Sequence, residues 1–526
     1  METPPAVKLG DLLRRGFDAL QRGAPRDAAD FCKRALAEDP KNPQAHFLVG
    51  LTALELGDRM TAARAFGSVT KLDPKNAAAW AQLARLFMRL GQPARAEKAL
   101  AEAKAADPHG AAVFDLIGVV SSMLGDQNEA KRWYLRAVRE APGNEEFVVN
   151  LATAQMFLGE NDEAVEAVTP LLKTPSPPPQ AEWLYSSIVR QESAARPAAL
   201  LDRARKSDPH AAAFLAYAAG KEFEDCGDWA RAFEAFDLGA RAKRSTVEFD
   251  EDAETRRFAG MMEIFGESFA SRPSEGCEDP SPIFVVGQPR TGTTLVERII
   301  TSHSQIESAG ELQQFRLSVG RLSGGGEKER TVKETLRAYA SIDMKSLGEE
   351  YLRVSRPMRS GAPRFVDKLP GNYFYIPLIL AALPNARIIH LTRDPMDACF
   401  SSFKQLFAEA YPHSYEQREM ARHFARYWKL MDHWRRLYPG RILDVSYEET
   451  VADLDPAARR IVDYLGLPWE DACLRYFEQG ESVATASAVQ VREKPHTRSV
   501  GRWRRYGVRL EPMREELEKA GVPVGS

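Results

Sequence analysis

The run Pro282-Ile-Phe-Val-Val-Gly-Gln-Pro-Arg-Thr-Gly-Thr-Thr294, followed by Leu295-Val-Glu-Arg-Ile-Ile300, decides the fold of the part of the chain that contains it. Residues 283–286 are apolar and mostly β-branched or aromatic, the texture of a strand buried on both faces. They run straight into a glycine-bearing loop, and an apolar helical pattern follows. A loop placed between a buried strand and a helix N-terminus exposes several backbone N–H groups and the positive end of the helix, so it cradles a phosphate. The spacing from Gly287 to Gly292 matches a Walker A loop, but Thr293 stands where its lysine would be. A kinase or NTPase needs that lysine and a Mg²⁺ at the γ-phosphate. A loop with hydroxyls and Arg290 suits instead a 5′-phosphate whose neighbouring group is transferred without a metal. The alternative, a tight turn with no ligand, is disfavoured by the two hydroxyls and the arginine.

Downstream, Ala386-Arg-Ile-Ile-His-Leu391 has the same strand texture and leads into Thr392-Arg-Asp-Pro-Met-Asp-Ala-Cys-Phe-Ser401. Repeated strand, turn and helix predict an α/β domain with a parallel sheet. The guanidinium of Arg393 can bind a phosphate bidentately, and the hydroxyl of Ser401 adds a donor. With both loops present, residues 282–510 resemble the sulfotransferase family, most closely its tyrosylprotein branch and bacterial relatives that carry tetratricopeptide repeats ahead of the same domain. The resemblance implies that the first loop (Arg290, Thr291, Gly292, Thr293, Thr294) grips the 5′-phosphosulfate of 3′-phosphoadenosine-5′-phosphosulfate. Arg393 and Ser401 would then hold its 3′-phosphate.

The N-terminal half carries a period of 34 residues: Gly23, Gly57, Gly91, Gly125 and Gly159, with the phase returning at Gly227. Pro40, Pro74, Pro108 and Pro142 keep the same register, as do Ala28, Ala62, Ala96, Ala130, Ala164 and Ala232. The unit this predicts is a pair of amphipathic helices: glycine ends the first, a small alanine lets the second pack closely, and proline stops it. It resembles the tetratricopeptide repeat. Seven units fit within residues 9–245, the sixth, around 174–193, having lost its glycine. Stacked pairs form a solenoid whose concave face binds an extended peptide or a protein domain. The alternative is an array that only supports or dimerises the second domain.

The predicted architecture is therefore multidomain: an all-α tetratricopeptide-repeat solenoid over 1–245, a helical, acidic linker over 246–281, and an α/β, P-loop-like sulfotransferase domain over 282–526. Of the 526 residues, 44% are hydrophobic and 28% charged, which suits soluble globular domains rather than a disordered or fibrous chain. Lys and Arg (71) nearly balance Asp and Glu (74), so nothing points to bulk nucleic-acid or membrane binding, and any anion site must be local. The five cysteines lack a CxxC pair or a metal-ligand spacing, and no metal is expected. No stretch of about 18 apolar residues suggests a transmembrane segment, and the start lacks a signal-peptide pattern, so a cytoplasmic protein is expected.

Sulfuryl transfer to a hydroxyl needs a base for the acceptor proton and cations where charge grows on the leaving phosphate. After the loop helix comes Ser302-His-Ser-Gln-Ile-Glu-Ser-Ala-Gly-Glu311, and the resemblance places the catalytic base at Glu311. The family pattern has two adjacent acids there, whereas Leu312 follows here, which keeps Glu307 as the fallback. His303 is the rival base, read as structural. Lys368, in Phe365-Val-Asp-Lys-Leu-Pro370, matches the family lysine at the scissile bridge. Asp367 is read as structural and His390 as a satisfied core histidine. Tyr447 resembles a cofactor-contacting tyrosine. Residues 491–506 carry six basic side chains against one acidic. The resemblance makes this a segment closing over the nucleotide, with Ser499 and Arg502 as phosphate partners.

The activity implied is a protein-tyrosine sulfotransferase-like transfer, with Glu311, Lys368 and Arg290 catalytic, and the repeats recruiting substrate or partner. The acceptor is a protein tyrosine, a carbohydrate or a small hydroxyl compound. The alternatives are a nucleotide-binding repeat scaffold without catalysis and a P-loop kinase.

Overall fold

The computed structural model describes residues 8–273, 275–324, 330–407, 410–479 and 489–525. The chain divides into two compact units, Met1–Ala154 and Gln155–Ser526.

The first unit is a run of antiparallel helix pairs: Leu9–Gln21 with Pro25–Glu38, Pro43–Glu55 with Arg59–Leu72, Ala77–Arg89 with Pro93–Ala105, and Ala111–Met123 with Gln127–Glu140. Gly57 and Gly125 take φ of +78° and +92° directly after the first helix of a pair, a conformation that costs an L side chain but not glycine. Asp58 and Asp126 then cap the second helix by accepting from the N–H three residues on. Within a pair, small faces large sixteen residues later: a Cβ on Gly50 would lie 2.5 Å from the Phe66 ring, and one on Gly118 2.6 Å from Tyr134.

The second unit opens with further helices of the same kind and contains the sheet domain. The pair that lacks its glycine has short helices, Pro179–Ile188 and Ala195–Ala204. It is held by ions instead: Arg196 and Arg203 bind Glu182 at 2.5 and 3.0 Å, and Arg196 also pairs with the buried Glu222. The last pair is α1 (Pro209–Asp225) and α2 (Trp229–Arg244). Here a Cβ on Gly220 would meet the buried Phe236 ring at 2.5 Å. Gly220→Val is therefore expected to lower stability by about 1–3 kcal/mol through overpacking. Gly67→Ala, whose Cβ meets nothing within 4 Å, should raise it by about 0.5–1 kcal/mol. Urea midpoints measure both.

Residues 246–281 hold α3 (Glu251–Ile264), whose Glu251 and Glu254 bind Arg422 and Arg426 of α6 (Gln417–Leu437) at 2.6–3.0 Å. The sheet follows: β1 (Pro282–Gly287), α4 (Thr293–Thr301), β2 (Ile306–Ser308), β3 (Arg364–Asp367), β4 (Arg387–Thr392), α5 (Pro395–Phe403), then α6, β5 (Ile442–Ser446) and α7 (Tyr447–Ala452). Among the described residues the strands form one parallel sheet in the order β2-β3-β1-β4-β5. β1 is central, aligned through Ile283↔Val366 with β3 and through Val285↔Ile389 with β4. Phe284 and Val286 pack with Phe315 and Tyr351 on one face, while Ile283 and Val285 pack with Val296, Ile300 and Ile461 on the other. Both faces are covered, which is why the strands read as continuous apolar runs. The chain leaves β1 toward one edge and returns beyond it toward the other. The loops after β1 and β4 therefore flank a topological switch point, where α/β sheets bind ligands. No described helix is long and apolar enough to cross a membrane.

Candidate active site

The loop after β1 is shaped by two left-handed residues. Arg290 has φ +66° and Gly292 φ +98°. At Gly292 a Cβ would also lie 2.7 Å from Tyr447 Cδ2, so only glycine fits. Arg290 has no such freedom, and a left-handed non-glycine residue costs about 1–3 kcal/mol unless its surroundings hold it. It is held by Arg393, whose Nη1 donates to the Arg290 carbonyl at 2.7 Å. Burial, and then the Arg393 cation, push the Arg290 guanidinium down to about 10. Two mutually repelling guanidiniums packed together make a seat for an anion.

Arg393 stands just after β4. Its Nη2 donates to the Ser499 carbonyl at 2.7 Å, its plane lies over the Tyr447 ring at 4.6 Å, and its Nε is buried without a hydrogen-bond partner among the described residues. The Arg502 Nε is likewise buried and unpartnered among those residues. Asp394 caps α5, and Asp397 accepts from the N–H groups of Gly501 and Trp503 at 2.5 and 3.1 Å. This pins the C-terminal basic segment over the start of α5.

The three segments enclose one cleft. Arg290, Gly292 and Thr294 line it from the first loop, Arg393 and Ser401 from the β4–α5 connection, and Tyr447, Ser499 and Arg502 from the C-terminal part. Thr291 and Thr293 do not line it: the Thr291 hydroxyl donates back to the Gln288 carbonyl at 2.7 Å, and Thr293 is buried at the first position of α4. Tyr447 opens α7 directly after β5 rather than lying within a strand. The cleft also contains Lys404, which the sequence reading missed, although it stands three residues after Ser401 and so one helical turn along the same face.

Glu311 and Lys368 meet each other rather than this cleft. The Lys368 side chain is 1% exposed, and its Nζ donates to Glu311 Oε1 at 2.5 Å and lies 3.7 Å from Glu297 Oε2. The Lys368 backbone N–H donates to the Gly310 carbonyl at 2.9 Å, fixing the Gly-Glu turn against β3. The Glu311 side chain is 43% exposed and open to an incoming proton donor. Glu297, also missed, is buried in α4; burial raises its carboxyl, against the pull of Lys368 and of the Ser308 hydroxyl 2.6 Å away. α4 thus joins the two places, with Thr294 at its start lining the cleft and Glu297 one turn on facing Lys368.

The remaining candidates sit in structural bonds. Glu307, in β2, accepts from the N–H groups of Ser360 and Gly361 at 2.6 and 3.0 Å and so ties down a loop. His303 spends Nε2 on the Pro468 carbonyl at 2.8 Å and Nδ1 on the Gln305 N–H at 3.2 Å. Asp367 is fully buried, pushed up by burial to about 7, and bonded by the Tyr351 hydroxyl at 2.9 Å. His390 bonds Asp444 and Tyr427, both at 2.5 Å. Among the described residues Glu254, His413 and His423 could bring ligand atoms within 4.8 Å of one another. Arg426 and the His423 Nδ1 already occupy that carboxylate, at 2.6 and 2.9 Å.

Residues 282–471 match the model of the sulfotransferase family, and residues 13–58 and 53–118 match tetratricopeptide-repeat models. An uncharacterized protein of Aquifex aeolicus (strain VF5) is 32% identical over 307 residues, 57% of this chain, and the match spans 40% of that relative's own length. A putative protein-tyrosine sulfotransferase of Caenorhabditis briggsae is 23% identical over 234 residues, 42% of this chain and 80% of its own. Of solved structures, the sulfotransferase domain from the curacin biosynthetic pathway aligns at 15% identity with a TM-score of 0.34, covering 47% of this chain and 99% of its own.

Proposed function

We propose that this chain, in which tetratricopeptide repeats precede a sulfotransferase-family domain, moves a sulfuryl group from 3′-phosphoadenosine-5′-phosphosulfate to a hydroxyl acceptor. The observation that carries the reading is the convergence of the β1 loop, the β4–α5 connection and the C-terminal basic segment on one cleft. The cleft's chemistry fits a nucleotide with phosphates at two positions: the Nε donors of Arg393 and Arg502 are buried without acceptors among the described residues, and phosphate oxygens would supply them.

In the proposed step the acceptor oxygen attacks sulfur in line. The new O–S bond forms as the bond from sulfur to the bridging phosphate oxygen breaks, and 3′,5′-adenosine bisphosphate leaves with that electron pair. Glu311 takes the acceptor proton. Arg290 and the loop N–H groups stabilise charge on the departing phosphate, the part that lysine and a metal play in Walker-type enzymes. Lys368, which stands with Glu311 beside the cleft rather than lining it, is assigned to the bridging oxygen where donor and acceptor meet. The acceptor favoured is a tyrosine of a protein or peptide presented by the repeats. The names of the Caenorhabditis and Drosophila relatives, the latter 23% identical over 202 residues, support that choice.

Isothermal titration with 3′,5′-adenosine bisphosphate, alongside ATP with Mg²⁺, tests the reading. Micromolar-range binding of the bisphosphate is expected, weakened about 10- to 100-fold in Arg393→Ala by the loss of charge-assisted hydrogen bonds. No bisphosphate binding, or a preference for ATP with Mg²⁺, overturns it in favour of a kinase or a scaffold.

A further inference from the structure

The donor cleft has a buried anion behind its wall, and that anion comes from a repeat. Glu224 lies in the last turn of α1, with its side chain 6% exposed. Both its oxygens accept from Lys404 Nζ, at 2.8 and 3.0 Å. Oε2 also accepts from Arg502 Nη2 at 2.9 Å, and Oε1 from the Tyr506 hydroxyl. Lys404 and Arg502 belong to different segments, one following α5 and the other in the C-terminal segment, yet both line the cleft with Arg290 and Arg393, while Glu224 does not.

We propose that Glu224 is a positioning residue of the donor site: from the repeat helix it holds the Lys404 ammonium and the Arg502 guanidinium at the cleft wall, where they meet the phosphates of the nucleotide. The inference rests on the donor reading above. Its logic is electrostatic. A lysine and an arginine brought together in a partly buried wall repel each other and lose hydration, and one carboxylate behind them offsets both costs while leaving the wall net positive toward the cleft.

The surrounding packing supports this. The Tyr217 hydroxyl of α1 donates to the Phe403 carbonyl at 2.9 Å, at the end of the helix that carries Ser401. The Phe233 ring of α2 stacks on Phe403 at 6.3 Å, and Trp229 lies under Arg502 and Arg505 at 5.7 and 4.8 Å. The last repeat is thus fastened to both segments whose cations Glu224 holds. Donor binding and the docking of this repeat are then energetically linked, and the linkage is reciprocal.

Lys404 supplies a readout that a purely structural ion pair would not move. Burial pushes its ammonium down to about 8, with Glu224 opposing and Arg502 and Arg290 adding to the fall. The groups facing it are Glu224 from α1, Arg502 and Tyr506 from the C-terminal segment, Arg290 from the β1 loop, and the Phe400 ring one turn back. As pH rises through that value the ammonium loses its proton and its attraction for phosphate. Removing the carboxylate moves the loss to lower pH.

The experiment is calorimetric titration of the full chain with 3′,5′-adenosine bisphosphate between about pH 6.5 and 9, above the second phosphate pKa of about 6. Wild-type affinity is expected to fall near pH 8. Glu224→Gln, which keeps the size and can still accept from Tyr506, should bind about 10-fold more weakly at pH 7.5, with its fall displaced about one unit lower. Wild-type affinity and an unmoved profile in Glu224→Gln overturn the proposal while the donor reading stands. No binding by the wild type at any pH overturns the donor reading, and the proposal with it. If Glu224→Gln does not fold, Lys404→Met reads the same linkage: it should bind weakly with no fall near pH 8, and persistence of that fall overturns the proposal.

Discussion

Glu311→Gln is expected to lower turnover about 10²–10⁴-fold while bisphosphate affinity changes by no more than about twofold. Glutamine keeps the shape of the side chain, and its carbonyl can still accept from Lys368, whose Nζ lies 2.5 Å from Glu311 Oε1. The ability to take a proton is removed, together with the negative charge that faces Lys368. Because Glu311 does not line the nucleotide cleft, binding and turnover should separate in this variant. The measurement is the initial rate of bisphosphate formation from the phosphosulfate donor with a tyrosine-containing peptide, together with calorimetry. Unchanged turnover would remove Glu311 from the mechanism and leave Glu297 as the other carboxylate at Lys368, since Glu307 is committed to the loop at Ser360 and Gly361. A wild type that binds bisphosphate but turns over no donor would instead favour the scaffold.

The second large effect is on Lys368. Its ammonium is 1% exposed and stands between Glu297, 8% exposed, and Glu311. Lys368→Met removes the ammonium that lies 3.7 Å from the Glu297 carboxylate. Leaving a buried charge uncompensated costs about 3–5 kcal/mol, and losing a cation at the leaving group costs about 10²–10³ in turnover. The stability loss should depend on pH. Burial already raises the Glu297 carboxyl, and Lys368 opposes that rise. Without the lysine the folded-state value climbs further above the unfolded one, so the folded protein binds the extra proton. Stability is then retained below the unfolded value and lost as pH rises through the folded one. Urea midpoints at about pH 5.5 and 8 should diverge in Lys368→Met more than in the wild type, and adding Glu297→Gln should restore most of the loss at the higher pH. A pH-independent loss that the second substitution does not relieve would place the effect in packing.

The parts of the candidate site that the sequence suggests are local. The spacing of Gly287 and Gly292 after a buried strand suggests a phosphate loop, and Arg393 with Ser401 suggests a second anion seat. Gly292, Arg393 and Ser401 do line one cleft, although Ser401 stands in the last turn of α5 rather than at its opening. Thr291 and Thr293 look equally competent in the sequence. Their exclusion from the cleft follows from the left-handed turn at Arg290 and Gly292, which returns one hydroxyl to Gln288 and buries the other threonine in α4. Lys404 was within reach of helical periodicity. Glu297 was hidden inside an amphipathic helix, where an acid is ordinarily solvated.

The sequence by itself determined the period of 34, the helix pairs that glycine and proline punctuate, and the order of strand, loop and helix from Pro282 onward. All of these are properties of neighbouring residues, set by backbone conformation and by which side chains share a face. Only the tertiary structure decided that Glu311 meets Lys368 across 57 positions, or that Glu224 meets Lys404 across 180 and Arg502 across 278. Such contacts depend on the path of the chain between them. What makes them worth forming is burial, since a carboxylate in water has no need of a particular partner and one enclosed in the fold does.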